Sequence, residues 1–492
     1  MKKTAMLGLV LLMCLLAGCA QALTMTGLET DYVDRQWETN AFFARMQALT
    51  GVEVQAHGVN GEEEYEALLD AMEKGGAEHD VLFKANLSRS RETALLDSGA
   101  IIDLAPYIGE YMPNLSALLE ENPERRAVIT LEDGRIPSLP LINPQERQAF
   151  MWINRTWLER MGLQVPQTIE ELTAALEAIL ASDPNQNGKR DEIPLDLLGV
   201  YEMRWLLPYF GIVADDYHLA RSADGEIVFA PELPAYREFI AQLKAWHDAG
   251  LMRRDAFTGM HSTSVLSEDE DETVVSGMIF SMTPFTHVPL NAIMDYAPVL
   301  IPGPDGKVCW RDLLGEVWTG CFAVTSACED VAAALRWADA LYGEAGALLS
   351  YAGAEGEDYE LDSEGNWTFI LTDMRDVNDI RAGSLIYTGV PAPGLYPAEF
   401  VARVDSDVDK HIFAASEAVR AVSSRVTLPY ALPGEDQARA DALAVVLGKL
   451  ADEGIARFVT GEMELTDENY AAWLAQMEQA GSAELCALYA GT

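Results

Sequence analysis

The sequence predicts an α/β protein in which parallel sheets are covered by helices. From residue 23 onward, short apolar runs alternate with amphipathic segments at helical spacing, as expected of repeated strand and helix units. The chain has 492 residues, of which 49% are apolar, so it is long enough for two or three domains with substantial cores. The composition does not indicate disorder.

The first elements follow one another as strands and helices in turn. Predicted strands lie at 23–27, 52–56 and 80–83, and predicted helices lie at 35–50, 62–74 and 89–98. Further along, apolar residues at helical spacing mark three more helices at 169–180, 236–246 and 331–341. We interpret these apolar stripes as core-facing and not as cofactor sites.

An export signal precedes the first strand. Lys2 and Lys3 are followed by an apolar run over 5–16, which is too short to span a membrane. The run ends in the tetrapeptide LAGC, which resembles the lipobox of bacterial lipoproteins. We therefore predict that residues 1–18 are a lipoprotein signal peptide and that Cys19 becomes the lipidated, palmitate-carrying N-terminus. A plain secretory signal that is cut elsewhere is the alternative.

The chain is strongly acidic. It has 78 Asp and Glu residues against 34 Lys and Arg, which gives a formal net charge of −44. A field of this sign repels nucleic acid and anionic lipid, and it argues weakly against a polyanionic ligand. We therefore predict no nucleic-acid partner.

The cysteines do not form a recognisable framework. Cys14 is removed with the signal, and Cys19 is the predicted lipid site. The others show no CxxC spacing, so we interpret them mostly as buried thiols and leave one disulfide open. They are Cys309, Cys321, Cys328 and Cys486.

The segment 183–194, DPNQNGKRDEIP, places oxygen-bearing side chains on alternate positions around one glycine. An EF-hand-like calcium loop has oxygen ligands at positions 1, 3, 5 and 9, a carbonyl at 7 and glycine at 6. Pro194 stands where an EF-hand has a bidentate glutamate, so Glu192 would have to complete the shell. A polar turn at the end of the preceding helix is the alternative. The predicted ligands of a structural calcium ion are Asp183, Asn185, Asn187, Lys189 through its carbonyl, Asp191 and Glu192.

Catalytic motifs are missing from the sequence. The chain contains no HExxH, no GxSxG nucleophile elbow and no GxxxxGK phosphate loop. Its seven histidines are scattered without metal-ligand spacing. Pairs of carboxylates carry little information in a chain with 78 acidic residues. The sequence therefore favours a protein without catalytic activity, although composition alone leaves a hydrolase open.

A series of short motifs runs through nearly the whole mature chain. They are GAIIDLAPY at 99–107, MPNL at 112–115, EENPE at 120–124, DGRIPSLP at 133–140, WIN at 152–154, WL at 157–158, GL at 162–163, the loop 183–194, ALRWAD at 334–339, GEDY at 356–359, FVTGEM at 458–463 and LTDEN at 465–469. In this order they resemble extracellular solute-binding lipoproteins, of the family 1 type, from bacterial carbohydrate ABC transporters. The subgroup is similar to alginate-binding proteins and to large Gram-positive sugar-binding lipoproteins. In that subgroup calcium ligands fall on the same six positions, which supports Glu192 as the closing ligand.

The resemblance implies a two-lobe fold like that of periplasmic binding proteins, of type II and similar to maltose-binding proteins, with a hinge between the lobes. On this basis we expect lobe 1 at 20–146 and 302–352. Lobe 2, which contains the calcium loop 183–192, is expected at 147–301 and 353–492. The resemblance also implies that the lobes close around an oligosaccharide in the cleft between them.

The same resemblance implies a function and a location. A monomer held by its lipid anchor at the extracellular face of the cytoplasmic membrane would capture the oligosaccharide and deliver it to the permease subunits of an ABC transporter. A surface polysaccharide-degrading enzyme is one alternative, and a peptide or sugar sensor without transport is another. Turnover of the bound glycan would separate the enzyme from the other two.

Sugar recognition combines aromatic rings, which stack on the C–H faces of pyranoses, with polar groups that bond the hydroxyls. Loops that follow strand ends are where open α/β sheets bind ligands, so we looked there for such pairs. Trp37 and Phe285 are the preferred stacking residues, and packing in the core or on the surface is the alternative for every aromatic. The predicted ligand-binding residues are Trp37, Tyr32, Asp31, Lys84, Asn86, Trp205, Phe285, Trp318 and Tyr396.

We expect Cys19→Ala to abolish lipid labelling and to release the protein from membranes, because an acyl anchor is what would hold a soluble body at the bilayer. Metabolic labelling with a fatty-acid probe and membrane fractionation measure both effects. Cys14→Ala, within the removed signal, should leave both unchanged. Unaltered membrane partition of Cys19→Ala would contradict the lipoprotein assignment.

Overall fold

The computed structural model divides the chain into two compact units. Unit 1 consists of the described residues up to Pro144 together with Val317–Ala398. Unit 2 consists of the described residues between these two segments together with those from Glu399 onward. The structure describes residues 22–31, 33–144, 148–257, 273–284, 287–312, 316–426, 432 and 434–490. The predicted site residues Cys19, Tyr32 and Phe285 lie outside these ranges.

The regular elements alternate along the chain. In chain order the strands are β1 (Leu23–Leu28), β2 (Val54–Val59), β3 (Val81–Phe83), β4 (Leu139–Ile142), β5 (Phe150–Asn154), β6 (Ile193–Asp196), β7 (Leu219–Arg221), β8 (Ile227–Phe229), β9 (Ser276–Ser281), β10 (Tyr296–Pro298), β11 (Trp310–Arg311), β12 (Val317–Val324), β13 (Tyr359–Leu361), β14 (Trp367–Phe369), β15 (Gly394–Leu395) and β16 (Ser423–Ser424). The α-helices are α1 (Ala41–Thr50), α2 (Glu62–Gly75), α3 (Arg89–Asp97), α4 (Ala105–Tyr111), α5 (Pro113–Glu121), α6 (Pro123–Ile129), α7 (Arg155–Arg160), α8 (Ile169–Ala181), α9 (Val200–Arg204), α10 (Pro234–Asp248), α11 (Val331–Asp339), α12 (Glu344–Tyr351), α13 (Val377–Ser384), α14 (Ala398–Val401), α15 (Asp407–Arg420), α16 (Gly434–Thr460), α17 (Asp467–Ala480) and α18 (Ser482–Leu488). Within the described ranges, none of these helices is both long and apolar enough to cross a membrane.

Unit 1 is built on a six-stranded sheet with the order β15-β4-β12-β3-β1-β2. β1 runs parallel to β2 and β3, β15 runs parallel to β4, and β12 is antiparallel to both of its neighbours. The contact between β1 and β3 requires a glycine, because a Cβ on Gly27 would lie 1.6 Å from the carbonyl oxygen of Phe83. Because β12 is antiparallel to both of its neighbours, the other five strands all run in the same direction and end at one common edge of the sheet.

Aromatic rings fill the core on one side of this sheet. Phe83 of β3 lies edge-to-face against Trp337 of α11 with ring centroids 5.5 Å apart, and Phe42 of α1 contacts both rings. α1 begins where the side chain of Asn40 accepts a hydrogen bond from the Phe42 backbone. The apolar stripe predicted at 331–341 is thus a core face, as expected.

Unit 2 has a four-stranded sheet with the order β10-β5-β9-β6. β9 is buried along its whole length and runs parallel to β6 and antiparallel to β5. The stripes predicted at 169–180 and 236–246 form α8 and α10, and their apolar faces are buried. α10 packs on the long C-terminal helix α16, so the end of the chain contributes to the core of this unit.

The division between the units differs from the predicted lobes at two segments. Residues 302–312 and 316 lie in unit 2, where β11 pairs with β16. Residues 353–398 lie in unit 1, where Gly394 of β15 pairs with Leu141 of β4. Both assignments depend on strands of two residues, which are too short to leave a pattern in the sequence.

The four cysteines of the described chain are free thiols. Cys321 is buried in β12, and the other three are partly buried. Burial raises the pKa of the Cys321 thiol to about 12, which keeps it protonated and unreactive. The disulfide that the sequence left open is therefore not formed among these four cysteines.

Candidate functional site

One edge of the unit 1 sheet collects most of the predicted ligand-binding residues of that unit. We call it the carboxyl edge: it consists of the residues that follow β1, β2, β3, β4 and β15, together with the start of the antiparallel strand β12. Such edges are where open α/β sheets bind ligands. The predicted residues at this edge are Asp31, Lys84, Asn86, Trp318 and Tyr396.

Two cations and two carboxylates are buried together at this edge, and we call them the charge network. Arg35 Nη1 lies 2.7 Å from Glu29 Oε1, and Arg35 Nη2 lies 3.0 Å from Asp31 Oδ2. The ammonium of Lys84 lies 3.1 Å from Glu29 Oε2. Because the charges balance, the network avoids the large cost of an unpaired buried ion.

The charge network also binds a segment that is distant in sequence. Lys84 Nζ donates to the carbonyl of Thr388 at 3.0 Å, and Arg35 Nη2 donates to the Thr388 hydroxyl at 2.6 Å. Arg35 Nε donates to the carbonyl of Leu385 at 2.8 Å. The segment after α13 is therefore fixed at the carboxyl ends of β1 and β3.

Burial changes the acidity of the Lys84 ammonium. Loss of solvation lowers the pKa of Lys84 to about 8, and the nearby Arg35 guanidinium lowers it further. Glu29 acts in the opposite direction, through its charge and its hydrogen bond. Asp31 and Lys84 were predicted to contact a ligand directly; the structure instead places their charged atoms inside the network, where they hold the segment after α13.

Trp37 has a different role from the predicted ring stacking. Only 1% of its surface is exposed, and its indole N–H donates to Glu29 Oε2 at 2.6 Å. Its ring packs against Phe43 and Phe83 in the core of unit 1. No open face is left on the ring in this unit, so we withdraw Trp37 as a stacking residue and assign it to the support of Glu29.

Partly exposed aromatic rings do lie at the carboxyl edge. Tyr351, at the end of α12, has its ring centroid 5.1 Å from Tyr396 and 4.3 Å from Tyr387. Tyr387 and Tyr396 are both half-buried, and Tyr387 directly precedes the anchored Thr388. Tyr387 is not among the predicted residues, and its position in the Tyr-Thr-Gly-Val-Pro loop was the available signal.

The turn after β3 is strained. Lys84 and Asn86 both adopt left-handed backbone conformations, with φ of 52° and 48°. Such conformations are uncommon for residues other than glycine and concentrate at functional sites. The Asn86 side chain is exposed, so its amide is available at the edge.

Trp205 of unit 2 is a core residue and not a surface platform. It is 2% exposed, its ring stacks on Phe280 with centroids 4.8 Å apart, and the Arg311 guanidinium lies 4.7 Å from the ring centroid. We therefore withdraw Trp205 as a sugar-stacking residue. Phe285, which follows β9, lies outside the described residues, and its role stays a prediction.

The segment 183–192 forms a tight loop between α8 and β6. Asp183 accepts from the backbone of Asn187 at 3.1 Å and of Gly188 at 2.9 Å. Asn187 in turn accepts from the backbone of Lys189 at 2.7 Å. Gly188 has φ of 80°, a conformation that favours glycine and that the turn requires.

The donor set of this loop fits a hard cation. Glu192 is 8% exposed, and its Oε1 is buried without a hydrogen-bond partner among the described residues. Burial raises the pKa of Glu192, and the charges of Asp183 and Asp191 raise it further. A buried carboxylate oxygen near two other carboxylates is stabilised when a cation joins them. In the described ranges no three Asp, Glu, His or Cys side chains already converge as a metal site, so amide and carbonyl oxygens would have to contribute.

Part of the chain is similar to curated carbohydrate-binding proteins. No protein-family model matches it. The fructooligosaccharide ABC transporter substrate-binding protein FusA of Streptococcus pneumoniae is 31% identical over 287 residues, which are 54% of this chain and 52% of the relative. The polygalacturonan/rhamnogalacturonan-binding protein YtcQ of Bacillus subtilis is 25% identical over 222 residues, 43% of this chain and 41% of the relative. The matched part thus spans about half the length, or less, of these curated relatives.

Solved structures match nearly the whole chain. An HMO-binding, ABC-transporter-associated solute-binding protein of Bifidobacterium longum infantis has a TM-score of 0.79 and 21% identity, over 95% of this chain and 97% of its own. FusA in complex with kestose has a TM-score of 0.74 and 20% identity, over 95% and 98%, and an EF-hand mutant of FusA with fructo-nystose has 0.75. The alginate-binding protein AlgQ2, solved without calcium ion, has 0.66 and 15% identity, over 96% and 98%. The predicted α/β fold of solute-binding proteins is confirmed, and so is the resemblance to carbohydrate-binding proteins of ABC transporters.

Proposed function

We propose that this protein is an extracellular substrate-binding protein that captures an oligosaccharide and delivers it to an ABC permease. The observation that supports this most directly is the carboxyl edge of the unit 1 sheet. There the half-buried rings of Trp318, Tyr387 and Tyr396 lie with the exposed amide of Asn86. Aromatic faces combined with a few oriented polar groups are the chemistry of a ligand site for sugars.

The charge of the chain and of its carboxyl edge favours one class of sugar over another. The formal charge of −44 disfavours a polyanionic ligand. The two cations at the carboxyl edge, Arg35 and Lys84, are already paired with Glu29 and Asp31. A neutral oligosaccharide therefore fits this edge better than a chain of uronates.

Binding without turnover is the proposed activity. The relatives FusA and YtcQ are both named as binding proteins, FusA as one of an ABC transporter, and the sequence contains none of the hydrolase motifs named above. A polysaccharide-degrading enzyme is the second candidate, and its only support is the surplus of carboxylates. Recovery of the bound glycan distinguishes the two.

We further propose that Cys19 anchors the protein by a lipid at the extracellular face of the membrane. The support is the lipobox-like LAGC after an apolar run. Delivery to a permease would benefit from such an anchor, because it confines the protein to the membrane surface where its partner lies.

The loop 183–192 is proposed to hold a structural calcium ion, with Asp183, Asn185, Asn187, Asp191 and Glu192 as side-chain ligands and Lys189 through its carbonyl. The unpartnered, buried Oε1 of Glu192 supports this within the chain itself. Among the structural neighbours, FusA has an EF-hand and AlgQ2 was solved in a form without calcium. Calcium would supply the positive charge that lets the carboxylates of this loop approach one another.

We expect a chelator to lower the melting temperature of the wild type, because calcium binds the folded loop and not the unfolded chain. Extracellular calcium modules typically have dissociation constants on the order of 0.1–1 mM, so millimolar calcium should restore the original value. Asp183→Ala or Asp191→Ala should remove the difference between chelator and calcium.

Asp224→Ala is the matched control for the calcium measurement, since Asp224 is an exposed acidic residue in another turn of unit 2. It should keep the full response. Equal melting temperatures of the wild type in chelator and in calcium would mean that the loop is only a turn.

A thermal-shift screen with neutral and acidic oligosaccharides, followed by calorimetry, tests the sugar proposal. A sugar at 100 times its dissociation constant should stabilise the wild type by about 2.7 kcal/mol. Tyr396→Ala should weaken its binding by about thirtyfold, because loss of a stacking aromatic typically costs about 2 kcal/mol. Tyr396→Phe keeps the ring and should bind within threefold of the wild type.

Tyr111→Ala controls for general effects of removing a tyrosine from unit 1. Tyr111 ends α4, which packs against α11. This variant should bind as the wild type does. Unchanged binding by Tyr396→Ala would place the site elsewhere, and recovery of a cleaved glycan would establish the enzyme instead.

A further inference from the structure

β12 carries a bulge at the carboxyl edge. Trp318 pairs with Leu141 of β4, whereas the next pairing joins Phe322 to Leu139, so β12 has extra residues between the two. Gly320 lies within the bulge with φ of 71°, and a Cβ there would lie 2.1 Å from the carbonyl oxygen of Leu87. Bulges redirect side chains and are typical of strands near binding sites.

Two side-chain donors in the bulge have no hydrogen-bond partner in the part of the chain that the structure describes. Trp318 Nε1 and Thr319 Oγ1 are both buried atoms without a hydrogen-bond partner among the described residues. A buried donor without a partner is costly, so native proteins usually supply one from the chain, from water or from a ligand. The two residues are adjacent at the start of β12, where the register of the strand is irregular, and both lie at the carboxyl edge.

A buried polar chain fixes the bulge from behind. The hydroxyl of Ser138 accepts the backbone N–H of Gly320 at 2.9 Å and donates to Glu92. Glu92 is fully buried in α3 and is paired with Arg89 at 3.1 Å. The orientation of the bulge thus depends on a carboxylate that cannot itself reach a ligand.

A second contact fixes the bulge from the side of β3. The backbone of Leu87 donates to the carbonyl of Gly320 at 3.0 Å, and that of Ala85 donates to Cys321, also at 3.0 Å. These are the residues of the strained turn that contains Lys84 and Asn86. The exposed amide of Asn86 is therefore held next to the bulge.

We propose that the β12 bulge is a hydrogen-bonding subsite for an uncharged sugar unit, with Trp318 Nε1 and Thr319 Oγ1 as donors to its oxygen atoms. Glu92 is a positioning residue that acts through Ser138. The subsite rests on the proposed function, and it adds that the bound sugar unit is uncharged. Neutral donors match hydroxyl and ring oxygens, and they supply no positive charge to pair with the carboxylate of an acidic sugar.

Calorimetry with kestose, lacto-N-tetraose and trigalacturonate tests the subsite. Thr319→Val removes one donor and keeps the shape, and it should weaken binding of the neutral sugar that the wild type binds by about three- to tenfold, the usual value of one hydrogen bond. Trp318→Phe removes the other donor together with part of the ring, and it should weaken binding at least as much. Thr319→Ser keeps the hydroxyl and should bind within twofold of the wild type.

Ser138→Ala tests the positioning role. It should weaken binding of the same neutral sugar. When it is combined with Thr319→Val, the two losses of binding free energy should not add, because both variants act on one donor. In sugar-free protein it should also speed amide hydrogen exchange at Gly320, whereas Thr319→Val should not. A merely structural role of Ser138 would lower the melting temperature and leave the losses additive.

The possible outcomes separate the subsite from the proposed function. If the wild type binds a neutral sugar and both donor variants bind it within twofold, the subsite is wrong and the function stands. Tighter binding of trigalacturonate than of either neutral sugar would overturn the substrate class. Absence of all binding would overturn the function and the subsite with it, and unchanged exchange at Gly320 in Ser138→Ala would overturn the positioning role alone.

Discussion

Charges buried at the carboxyl ends of β1 and β3 determine how unit 1 presents its candidate site. Arg35 and Lys84 are matched by Glu29 and Asp31, so each ion has a partner that offsets its loss of solvation. Removal of one partner from such a group typically costs about 3–5 kcal/mol, because a bare charge is left in the interior. Loss of any one of the four charged groups would therefore strongly destabilise unit 1. The complete network is a rigid support for the edge of the sheet.

The same charged groups bring together residues that are distant in the sequence. By binding Thr388 and Leu385, the network brings the segment after α13 to the ends of strands that come some 300 residues earlier in the chain. Tyr387 belongs to that segment and lies against Tyr351, which also contacts Tyr396. The position of this group of rings at the carboxyl edge thus depends on buried ionic contacts.

Part of this arrangement could be predicted from the sequence. Asp31, Lys84 and Asn86 follow apolar runs, and parallel strands place such residues on one edge whatever the rest of the fold does. The loop 183–192 could be identified because its oxygen-bearing side chains fall on alternate positions of one short segment and because Gly188 adopts the positive φ that the turn requires. Local patterns of this kind survive in the sequence because they do not depend on distant partners.

Other parts depend on contacts that leave no local pattern. A tryptophan after a strand looks the same in sequence whether its ring faces solvent or core, and only the hydrogen bond to Glu29 shows that Trp37 is turned inward. The ring of Trp205 is likewise buried, packed between Phe280 and Arg311. The placement of 353–398 depends on β15 and on long-range contacts such as that between Lys84 and Thr388. The two donors of the bulge can be identified only once the register between β12 and β4 is known.

Amide hydrogen exchange with and without a bound neutral oligosaccharide, kestose first, tests the central claim most directly. If the carboxyl edge is the sugar site of unit 1, protection within that unit should concentrate at 84–87, 316–320, 386–389 and 395–396. The opposite edge, at 78–81 and 324–326, should exchange at the same rate in both states. Protection of the opposite edge, with no change at the carboxyl edge, would contradict the account.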